Sequence, residues 1–562
     1  MASGLFSTTR ELPRLREISL VFVRHGLGDL VRRAGILTLL ERAGHVLQWG
    51  EAGEVAHLEP QQRARLAFEQ LGPTFVKLGQ MLSTREDLLP PAWTTELAQL
   101  HSNVAPVPFD DLLPQVEQAL GRSPFEVFRN LEREPYAAAS IAQVHRARLA
   151  SGTPVILKIR RPGIEAKIDA DLRILERLAH LVEREIPEVR RYRPVEVVSQ
   201  LRGSLERELD LAVEARNMER FAHNFADDLY ILVPRVYWEW TSSSMNVQEY
   251  IEGIRGNDLA AIDNAGLDRK VLAARGADAV LKMILVDGFF HADPHPGNVM
   301  YLPGNRIALI DFGMVGRLSP VRRRQIVDLL AGLARHDEET MLEVLLDWRG
   351  DDFVDEARLA ADLGEFAFDY ADMPLKDLRV GVLLRRVSAI LREHSIVLPV
   401  DLTLMFKALI SLEGLGRHYD PEFRLIERAK PFLERAMRER YQPVEAARGA
   451  QETLSELFGL VTSMPRELAR LVKDARHGRI RVDIDLKRLD SFSHRLHSAI
   501  NRATIGIMTA SLVIGSSIVM TVAEGPTLFG VPLLTFFGLL GFLIAFVNSL
   551  WIILSIWHSG RR

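Results

Sequence analysis

Two segments predict the fold of this chain best. They are His291-Ala292-Asp293-Pro294-His295-Pro296-Gly297-Asn298 and, after a gap of 12 residues, Asp311-Phe312-Gly313. The two segments place an Asp, an Asn five residues later, and a second Asp 18 residues after the first. Carboxylate and amide oxygens are the hard ligands that Mg²⁺ prefers. Phosphoryl chemistry needs such a metal ion together with a carboxylate near the attacking oxygen. The segments therefore predict a site for phosphoryl transfer or hydrolysis.

Protein-kinase active sites use the same spacing. In that pattern Asp293 is the catalytic carboxylate beside the attacking hydroxyl, and Asn298 and Asp311 bind Mg²⁺. Ala292 replaces the Arg of the usual His-Arg-Asp motif. Activation through an Arg contact to a phosphorylated loop is therefore not expected.

The residues upstream of these segments predict a small lobe built on a β-hairpin. Apolar strands at 142–147 and 155–159 flank a Ser-Gly turn, and Lys158 lies near the end of the second strand. A kinase Lys at this point contacts the α- and β-phosphates of ATP and needs a carboxylate partner. Glu214 is the best candidate for that partner. Helices are predicted over 163–186 and 194–224, and a second pair of strands over 233–240 and 245–250.

Two further segments are candidates for nucleotide binding. An Ala-rich run stands where a kinase has its Gly-rich loop, and its members are Ala137, Ala138, Ala139 and Ser140. The small side chain of Ala lets the backbone approach phosphates, but Ala disfavours the positive φ values that Gly permits. This loop should therefore be stiffer than a Gly-rich loop. Glu249 and Ile251 occupy the position of the hinge that binds adenine. Helices dominate after residue 268, so the predicted order is that of a bilobal kinase.

Composition narrows the class of protein. The chain has 562 residues, a net charge of −4 and no cysteine. It is long enough for two or three domains, and it gives no electrostatic case for nucleic-acid binding. Disulfides, thiolate catalysis and Cys-ligated zinc are excluded. Residues 1–16 lack the apolar core of a signal peptide.

The C-terminal part predicts a membrane hairpin. Residues 503–523 form an uncharged run of 21 residues, and residues 527–557 form another of 31. Each is long enough to cross a hydrocarbon core of about 30 Å as a helix. Basic residues flank the two runs outside the hairpin, at Arg495, Arg502, Arg561 and Arg562. The positive-inside rule then places both ends in the cytoplasm. A buried hairpin in a soluble domain is the alternative.

His291 and His295 also raise a zinc alternative with Asp293 and Asp311. Pro294, Pro296 and Gly297 favour a rigid loop rather than a zinc-binding helix. Support of the catalytic loop by hydrogen bonds is the preferred reading of His291.

With these residues in place, the chain resembles the UbiB family of atypical kinases. Lys77-Leu78-Gly79-Gln80 matches the Lys-x-Gly-Gln motif of that family, and Glu208-Leu209-Asp210 matches its Glu-x-Asp motif. The Ala-rich loop and the kinase signature complete the likeness, which spans residues 60–340. Ala142 stands where many members have Gly.

The resemblance implies an α+β, bilobal protein-kinase-like fold with an N-terminal helical extension and a C-terminal two-helix transmembrane hairpin. The implied domains are the extension (1–110), the small lobe (111–251), the helical large lobe (252–450), a helical linker (451–502) and the hairpin (503–557). Lys77 and Gln80 would belong to an extension packed over the active site, with Lys77 near Glu208 and Asp210. Such an extension would keep a protein segment from reaching Asp293.

The resemblance also implies an ATP- and Mg²⁺-dependent ATPase that supports synthesis of ubiquinone or a related prenyl quinone. The expected location is the bacterial cytoplasmic (inner) membrane, with the catalytic part on the cytoplasmic side. Expected partners are membrane lipids, prenyl-quinone intermediates and quinone-biosynthesis enzymes, and a homodimer is compatible with the sequence. Two alternatives stay open: a small-molecule or lipid kinase, and a nucleotide-binding pseudokinase scaffold.

Overall fold

A computed structural model describes residues 11–28, 32, 57–100, 105–335, 337–349, 354–371, 378–440, 508–519, 527–528, 531–532, 540–543 and 545. The chain divides into two compact units, Met1–Arg440 and Tyr441–Arg562. Every predicted site residue lies in the first unit. The predicted linker at 451–502 lies outside the described residues.

The N-terminal extension is helical. Its helices are α1 (Glu11–Arg24), α2 (Pro60–Leu71), α3 (Pro73–Leu82) and α4 (Pro91–Leu97). Pro60, Pro73 and Pro91 each begin a helix, where the missing N–H of proline costs no hydrogen bond. The apolar faces of α1, α2 and α3 form one core with two long helices of the next segment, which fixes the extension on the kinase-like body.

The small lobe is an antiparallel sheet with helices beside it. Its elements are α5 (Phe109–Leu120), α6 (Pro124–Val127), β1 (Ala137–Ala138), β2 (Ala142–Arg148), β3 (Pro154–Arg160), α7 (Ile164–Glu185), α8 (Pro194–Leu209), α9 (Leu211–Asn224) and β5 (Met245–Glu249). The short strand β4 (Ile231–Leu232) lies between α9 and β5 in sequence but belongs to a second sheet, in which it pairs in parallel with residues 307–308. The strand order is β1-β2-β3-β5, and the predicted hairpin is confirmed as β2 and β3. Phe109 and Phe128 pack beneath it with Leu157 and Val247.

Two predictions about this lobe were wrong in detail. The helix predicted over 194–224 is broken at Asp210, whose extended backbone and side-chain oxygen cap the start of α9. Residues 233–240 do not form a strand beside β5. Residues Trp238–Trp240 instead make a 3₁₀ turn, and only Val236 forms an isolated bridge to Gln248.

The large lobe surrounds the catalytic segments. It contains β6 (Ile254–Arg255), α10 (Leu259–Asn264), α11 (Arg269–Leu281), a π-helical turn (Lys282–Asp287), β7 (Phe289–His291), a 3₁₀ turn (Pro296–Asn298), β8 (Val299–Leu302), β9 (Arg306–Leu309), β10 (Val315–Arg317), α12 (Pro320–Arg335), α13 (Glu338–Trp348), α14 (Glu356–Ala371), α15 (Val380–Glu393), α16 (Val400–Tyr419) and α17 (Leu425–Arg440). Phe289, Phe290 and Phe312 are fully buried at the centre of its core. The pairing of β7 with β10, which joins His291 to Val315, brings the two catalytic segments together.

The predicted membrane hairpin falls mostly outside the described residues. Residues 508–519 are helical, whereas β11 (Thr527–Leu528) and β12 (Val531–Pro532) pair as antiparallel strands. The second predicted span therefore does not begin as a helix at Thr527, because Gly530 and Pro532 are poor residues for a helix interior. In the described part of the chain, no helix combines the length and apolar character that a membrane crossing needs.

Candidate functional site

Lys158, Glu214 and Asp311 form a charged cluster. Lys158 Nζ on β3 lies 2.8 Å from Glu214 Oε1 on α9 and 3.7 Å from Asp311 Oδ1. Glu214 Oε1 also accepts a hydrogen bond of 3.3 Å from the Phe312 N–H. One buried carboxylate thus ties β3, α9 and the Asp-Phe-Gly segment together, and the expected contact between Lys158 and Glu214 is present.

The charges in this cluster stabilise one another. Burial alone acts to lower the pKa of Lys158, but attraction to Asp311 and Glu214 outweighs it, and the pKa is raised. The Lys158 ammonium holds the pKa of Asp311 well below its usual range. Burial raises the pKa of Glu214, and Lys158 opposes that effect. Asp311 is therefore ionised at neutral pH, and because its side chain is 46% exposed it can reach a metal ion.

Hydrogen bonds within the catalytic loop orient Asp293 and Asn298. The Asp293 N–H donates to His291 Nδ1 at 3.0 Å, and Asn298 Nδ2 donates to the Asp293 carbonyl oxygen at 3.1 Å. The amide nitrogen of Asn298 is thus used inside the loop, which leaves its Oδ1 as the atom for a cation. The loop presents one carboxylate and one amide oxygen in a fixed arrangement.

His291 supports this loop from the core. Its side chain is buried, and burial lowers its pKa, so the imidazole is neutral at physiological pH. Its Nδ1 is already an acceptor for the Asp293 N–H. His295 likewise uses Nδ1 to accept from the Gly297 N–H at 2.9 Å. Across the described ranges, no group of three His, Cys, Asp or Glu residues is arranged to hold a metal ion.

The donor set suits Mg²⁺ bound together with nucleotide phosphates. Mg²⁺ is usually held by one or two protein oxygen ligands, with phosphates and water completing its octahedron. Asp311 and Asn298 would supply those two ligands. Phe312 is completely buried, and its carbonyl oxygen accepts from Asn217 Nδ2 at 3.2 Å, which holds Asp311 beside Lys158.

Lys407 is a site residue that the sequence motifs did not reveal. Its Nζ lies 3.0 Å from Asp293 Oδ1, although it belongs to α16 and is 114 positions away in sequence. α16 packs against β10, the strand that follows the Asp-Phe-Gly segment. The available signal was a single Lys within the mainly apolar first half of a helix, between the buried residues Phe406 and Ala408.

The extension contacts this region through Lys77. Its Nζ lies 2.5 Å from Glu208 Oε2 at the end of α8, as the family motif implied. Asp210 plays a different role from the one expected: its Oδ1 accepts from the Ala212 N–H at 3.0 Å and caps α9. Gln80 donates to the Leu100 carbonyl oxygen within the extension. The carboxylate of Glu208 also makes a small contribution to the raised pKa of Lys158, so the partner of Lys77 also acts on the Lys158 cluster.

A cavity of about 470 Å³ lies between the extension and the large lobe. Its walls come from α3 and the residues just after it, from α8 and α9, from the segment 313–317 and from α16. Polar and charged side chains line it next to apolar ones, and they include Lys77, Gln80, Arg207, Met314, Leu404 and Lys407. The cavity therefore adjoins the end of the Asp-Phe-Gly segment, and Lys407 connects it to the catalytic loop.

The Ala-rich loop and the hinge segment flank β2 and β5. Ala137 and Ala138 form β1, and the Ala139 carbonyl oxygen accepts from Arg161 Nε at 2.9 Å, while Ser140 follows in the turn. In the hinge, the Glu249 N–H already donates to the Arg235 carbonyl oxygen at 2.8 Å. Ile251 is 9% exposed and packs in a small core with Met300. Adenine contact by this segment stays a prediction.

Comparison with known proteins agrees with this arrangement. Residues 99–345 match the ABC1 atypical kinase-like domain, residues 363–424 the UbiB helical domain, and residues 487–558 the ABC1/UbiB kinase-like C-terminal domain. Lys407 thus falls in the segment that matches the UbiB helical domain.

Curated relatives match over most of their length. A probable protein kinase UbiB from Pseudomonas paraeruginosa is 36% identical over 477 residues, which covers 83% of this chain and 88% of the relative. The protein of the same name from Azotobacter vinelandii is 36% identical over 494 residues, which covers 85% and 90%. That from Marinobacter nauticus is 35% identical over 481 residues, which covers 83% and 85%. The chain belongs to the UbiB family of ABC1 atypical kinase-like proteins.

Proposed function

We propose that this protein is a membrane-anchored, kinase-like Mg-ATPase that supports biosynthesis of ubiquinone or a related prenyl quinone. The observation that carries the enzymatic part is the cluster in which Lys158 lies 2.8 Å from Glu214 and 3.7 Å from Asp311. This arrangement places one cation for nucleotide phosphates beside a carboxylate that can hold Mg²⁺. Asp293 and Asn298 complete the set of groups that phosphoryl chemistry requires.

Each residue has a distinct task in this proposal. Lys158 binds the α- and β-phosphates, and Glu214 keeps its ammonium in place. Asp311 and Asn298 hold Mg²⁺, which neutralises charge on the phosphates and orients them when bound. Asp293 orients the attacking water and takes up its proton as the oxygen bonds to the γ-phosphorus and the bond to the β-phosphate oxygen breaks. The products are ADP and inorganic phosphate.

The membrane part of the proposal rests on the sequence. The uncharged runs at 503–523 and 527–557 would anchor the protein in the cytoplasmic membrane, with the kinase-like unit on the cytoplasmic side. Prenyl-quinone intermediates are strongly apolar and stay in the bilayer. An ATPase tethered there could use its cycle to make such lipids available to quinone-biosynthesis enzymes.

A lipid or small-molecule kinase is the second candidate, and the cavity beside the catalytic loop favours it. Lys407 touches both the cavity and Asp293, and the apolar side chains of Met314 and Leu404 share the same walls. An amphipathic acceptor of modest size would fit this space better than a peptide segment.

Transfer of labelled phosphate separates the two candidates. The full-length protein in phospholipid vesicles is incubated with Mg²⁺ and γ-labelled ATP, and the label is followed in the aqueous and lipid-extractable fractions. Release of free phosphate supports the ATPase, whereas label in the lipid fraction supports the kinase.

The cellular role is tested in a deletion strain. Asp311→Asn removes the carboxylate that holds Mg²⁺, so it should abolish turnover and cause an apolar quinone precursor to accumulate. Asp110→Asn is the matched control, because Asp110 is exposed and its ion-pair partner Arg133 is exposed as well. If folded Asp311→Asn loses turnover but restores quinone levels, the protein acts as a nucleotide-binding scaffold instead.

A further inference from the structure

We propose that Lys407 on α16 binds the terminal phosphate of the nucleotide, so that the helical segment of the large lobe supplies a cation that the catalytic loop lacks. This inference rests on the proposed Mg-ATP chemistry and deepens it. It is carried by the contact between Lys407 Nζ and Asp293 Oδ1, which measures 3.0 Å.

The backbone of Lys407 is held rigidly. Its neighbours Met405, Phe406 and Ala408 are buried in the core of the large lobe, and α16 packs against β10 and α11. β10 follows the Asp-Phe-Gly segment after one intervening residue, so α16 packs next to that segment. The ammonium is therefore placed beside Asp293 by the fold and not by a flexible surface loop.

The ammonium has capacity left for a second anion. A Lys ammonium carries three N–H donors. One faces Asp293 Oδ1, and the next contact is Met314 Sδ at 3.7 Å, which is a weak acceptor. The Lys407 side chain is 22% exposed and lines the cavity next to the catalytic loop. A phosphate oxygen approaching Asp293 would meet this ammonium.

Among the described residues, Lys407 is the Lys or Arg that forms an ion pair with Asp293. The loop from His291 to Asn298 contains no Lys or Arg. Lys158 is assigned to the α- and β-phosphates, and Lys77 is paired with Glu208. The transferring phosphoryl group carries negative charge that a fixed cation can stabilise. A cation acts most strongly on that charge where the site is partly dehydrated.

The position of Lys407 also affects the Asp293 carboxylate. An ammonium beside Asp293 reduces the repulsion that its negative charge would exert on the incoming triphosphate. Lys407 then interacts with both the group that orients the water and the phosphoryl group that the water attacks.

The test compares nucleotides that differ in the terminal phosphate. Binding of ADP and of a β,γ-imido ATP analogue, each with Mg²⁺, is measured by calorimetry on full-length wild type, Lys407→Met and Lys407→Arg. A charged hydrogen bond of this kind corresponds to a change of about tenfold or more in affinity. We expect Lys407→Met to weaken the affinity for the analogue by that factor and to leave the affinity for ADP unchanged. We also expect it to reduce kcat by about 10²-fold.

A purely positional role would give a different pattern. If Lys407 only orients Asp293, kcat falls in Lys407→Met but the ratio of the two affinities stays at the wild-type value, which overturns the proposal. Lys407→Arg keeps the charge and should retain most of the preference for the analogue. Lys270→Met serves as the control, because Lys270 is 68% exposed and its carboxylate contacts are 3.7 Å or longer.

Two further readouts keep the test decisive. Thermal unfolding shows whether Lys407→Met is folded, and if it is not, Lys407→Arg and Lys407→Gln are compared by the same affinity ratio. If wild type prefers the analogue but does not hydrolyse ATP, the proposed ATPase function fails while the assignment of Lys407 is still decided by binding. If wild type binds the analogue no more tightly than ADP, the assignment is overturned.

Discussion

The Lys77 ammonium lies 2.5 Å from the Glu208 carboxylate, two residues before Asp210 caps the helix that carries Glu214. The motif of the extension is therefore connected to the Lys158 cluster through a single short segment. The two side chains are 15% and 28% exposed, so the ion pair is partly shielded from water. This makes it a structural link rather than an ordinary surface contact.

Breaking this link should destabilise the protein. We expect a double-mutant cycle of Lys77→Met and Glu208→Gln to give a coupling free energy of about 1 kcal/mol. This value is at the upper end of the range for exposed ion pairs. The measurement is denaturant unfolding of the four variants. The pair Lys430 and Glu434 is the control, because its 4.0 Å separation and greater exposure predict coupling near zero. Equal coupling in both pairs would contradict a special role for Lys77.

Gly79 in the Lys-Leu-Gly-Gln motif has a steric reason to be glycine. A Cβ at this position would collide with Leu100 Cδ1 and lie 2.8 Å from Phe68 Cδ2. We expect Gly79→Ala to cost about 1–3 kcal/mol of stability, because the added carbon overpacks the core of the extension. The check is a lower thermal midpoint.

Gly414 provides the matched comparison for Gly79. It lies within α16, and a Cβ there would meet no atom within 4 Å. Gly414→Ala should therefore stabilise the protein by about 0.5–1 kcal/mol through the better helix propensity of Ala. A fall in thermal midpoint of similar size in both variants would show that steric crowding is not the reason for Gly79.

Local patterns predicted the parts of the site that local structure determines. The hairpin that carries Lys158 follows from alternating apolar residues around a Ser-Gly turn, and the catalytic loop follows from a fixed motif. Lys407 was not predicted, because it is more than one hundred positions from Asp293 in sequence. Their contact depends on how α16 packs in the folded protein. The role of Asp210 was not predicted, because the amphipathic pattern continues through this residue without a visible break. The break between the two helices is evident only from the hydrogen bond by which Asp210 caps the second one.

Asp311 should make stability depend on pH on the acid side. Its pKa in the folded protein is held well below the unfolded value of about 3.9, chiefly by Lys158. The stabilisation is thus present above pH 4 and is lost as the pH falls toward the folded pKa. We expect Asp311→Asn to be less stable than wild type at pH 7, with a difference that shrinks below about pH 4.

Thermal midpoints measured between pH 3 and pH 7 test this expectation. Asp110→Asn, which removes an exposed carboxylate, serves as the control and should follow the wild-type curve. A difference between wild type and Asp311→Asn that is the same at every pH would mean that the charge of Asp311 contributes nothing to folding.

Asn298 should control the requirement for Mg²⁺. Its amide nitrogen donates to the Asp293 carbonyl oxygen at 3.1 Å, so its oxygen is the atom left for the metal. We expect Asn298→Ala to raise the Mg²⁺ concentration needed for half-maximal turnover by at least about tenfold, since even indirect partners of a metal ligand change affinity by 10–100-fold. Removal of a ligand should also lower the maximal rate, because the loop loses an internal hydrogen bond.

The Mg²⁺ titration also decides between the two metals that the sequence allowed. Asn264→Ala, at an exposed position at the end of α10, should keep the wild-type Mg²⁺ requirement. Wild type stripped of transition metals should remain active with Mg²⁺ alone, because the imidazoles of His291 and His295 already accept hydrogen bonds from loop N–H groups. Activity that returns only with Zn²⁺ would mean that these histidines leave their loop partners to bind metal, and the Mg²⁺ assignment of Asn298 and Asp311 would then be wrong.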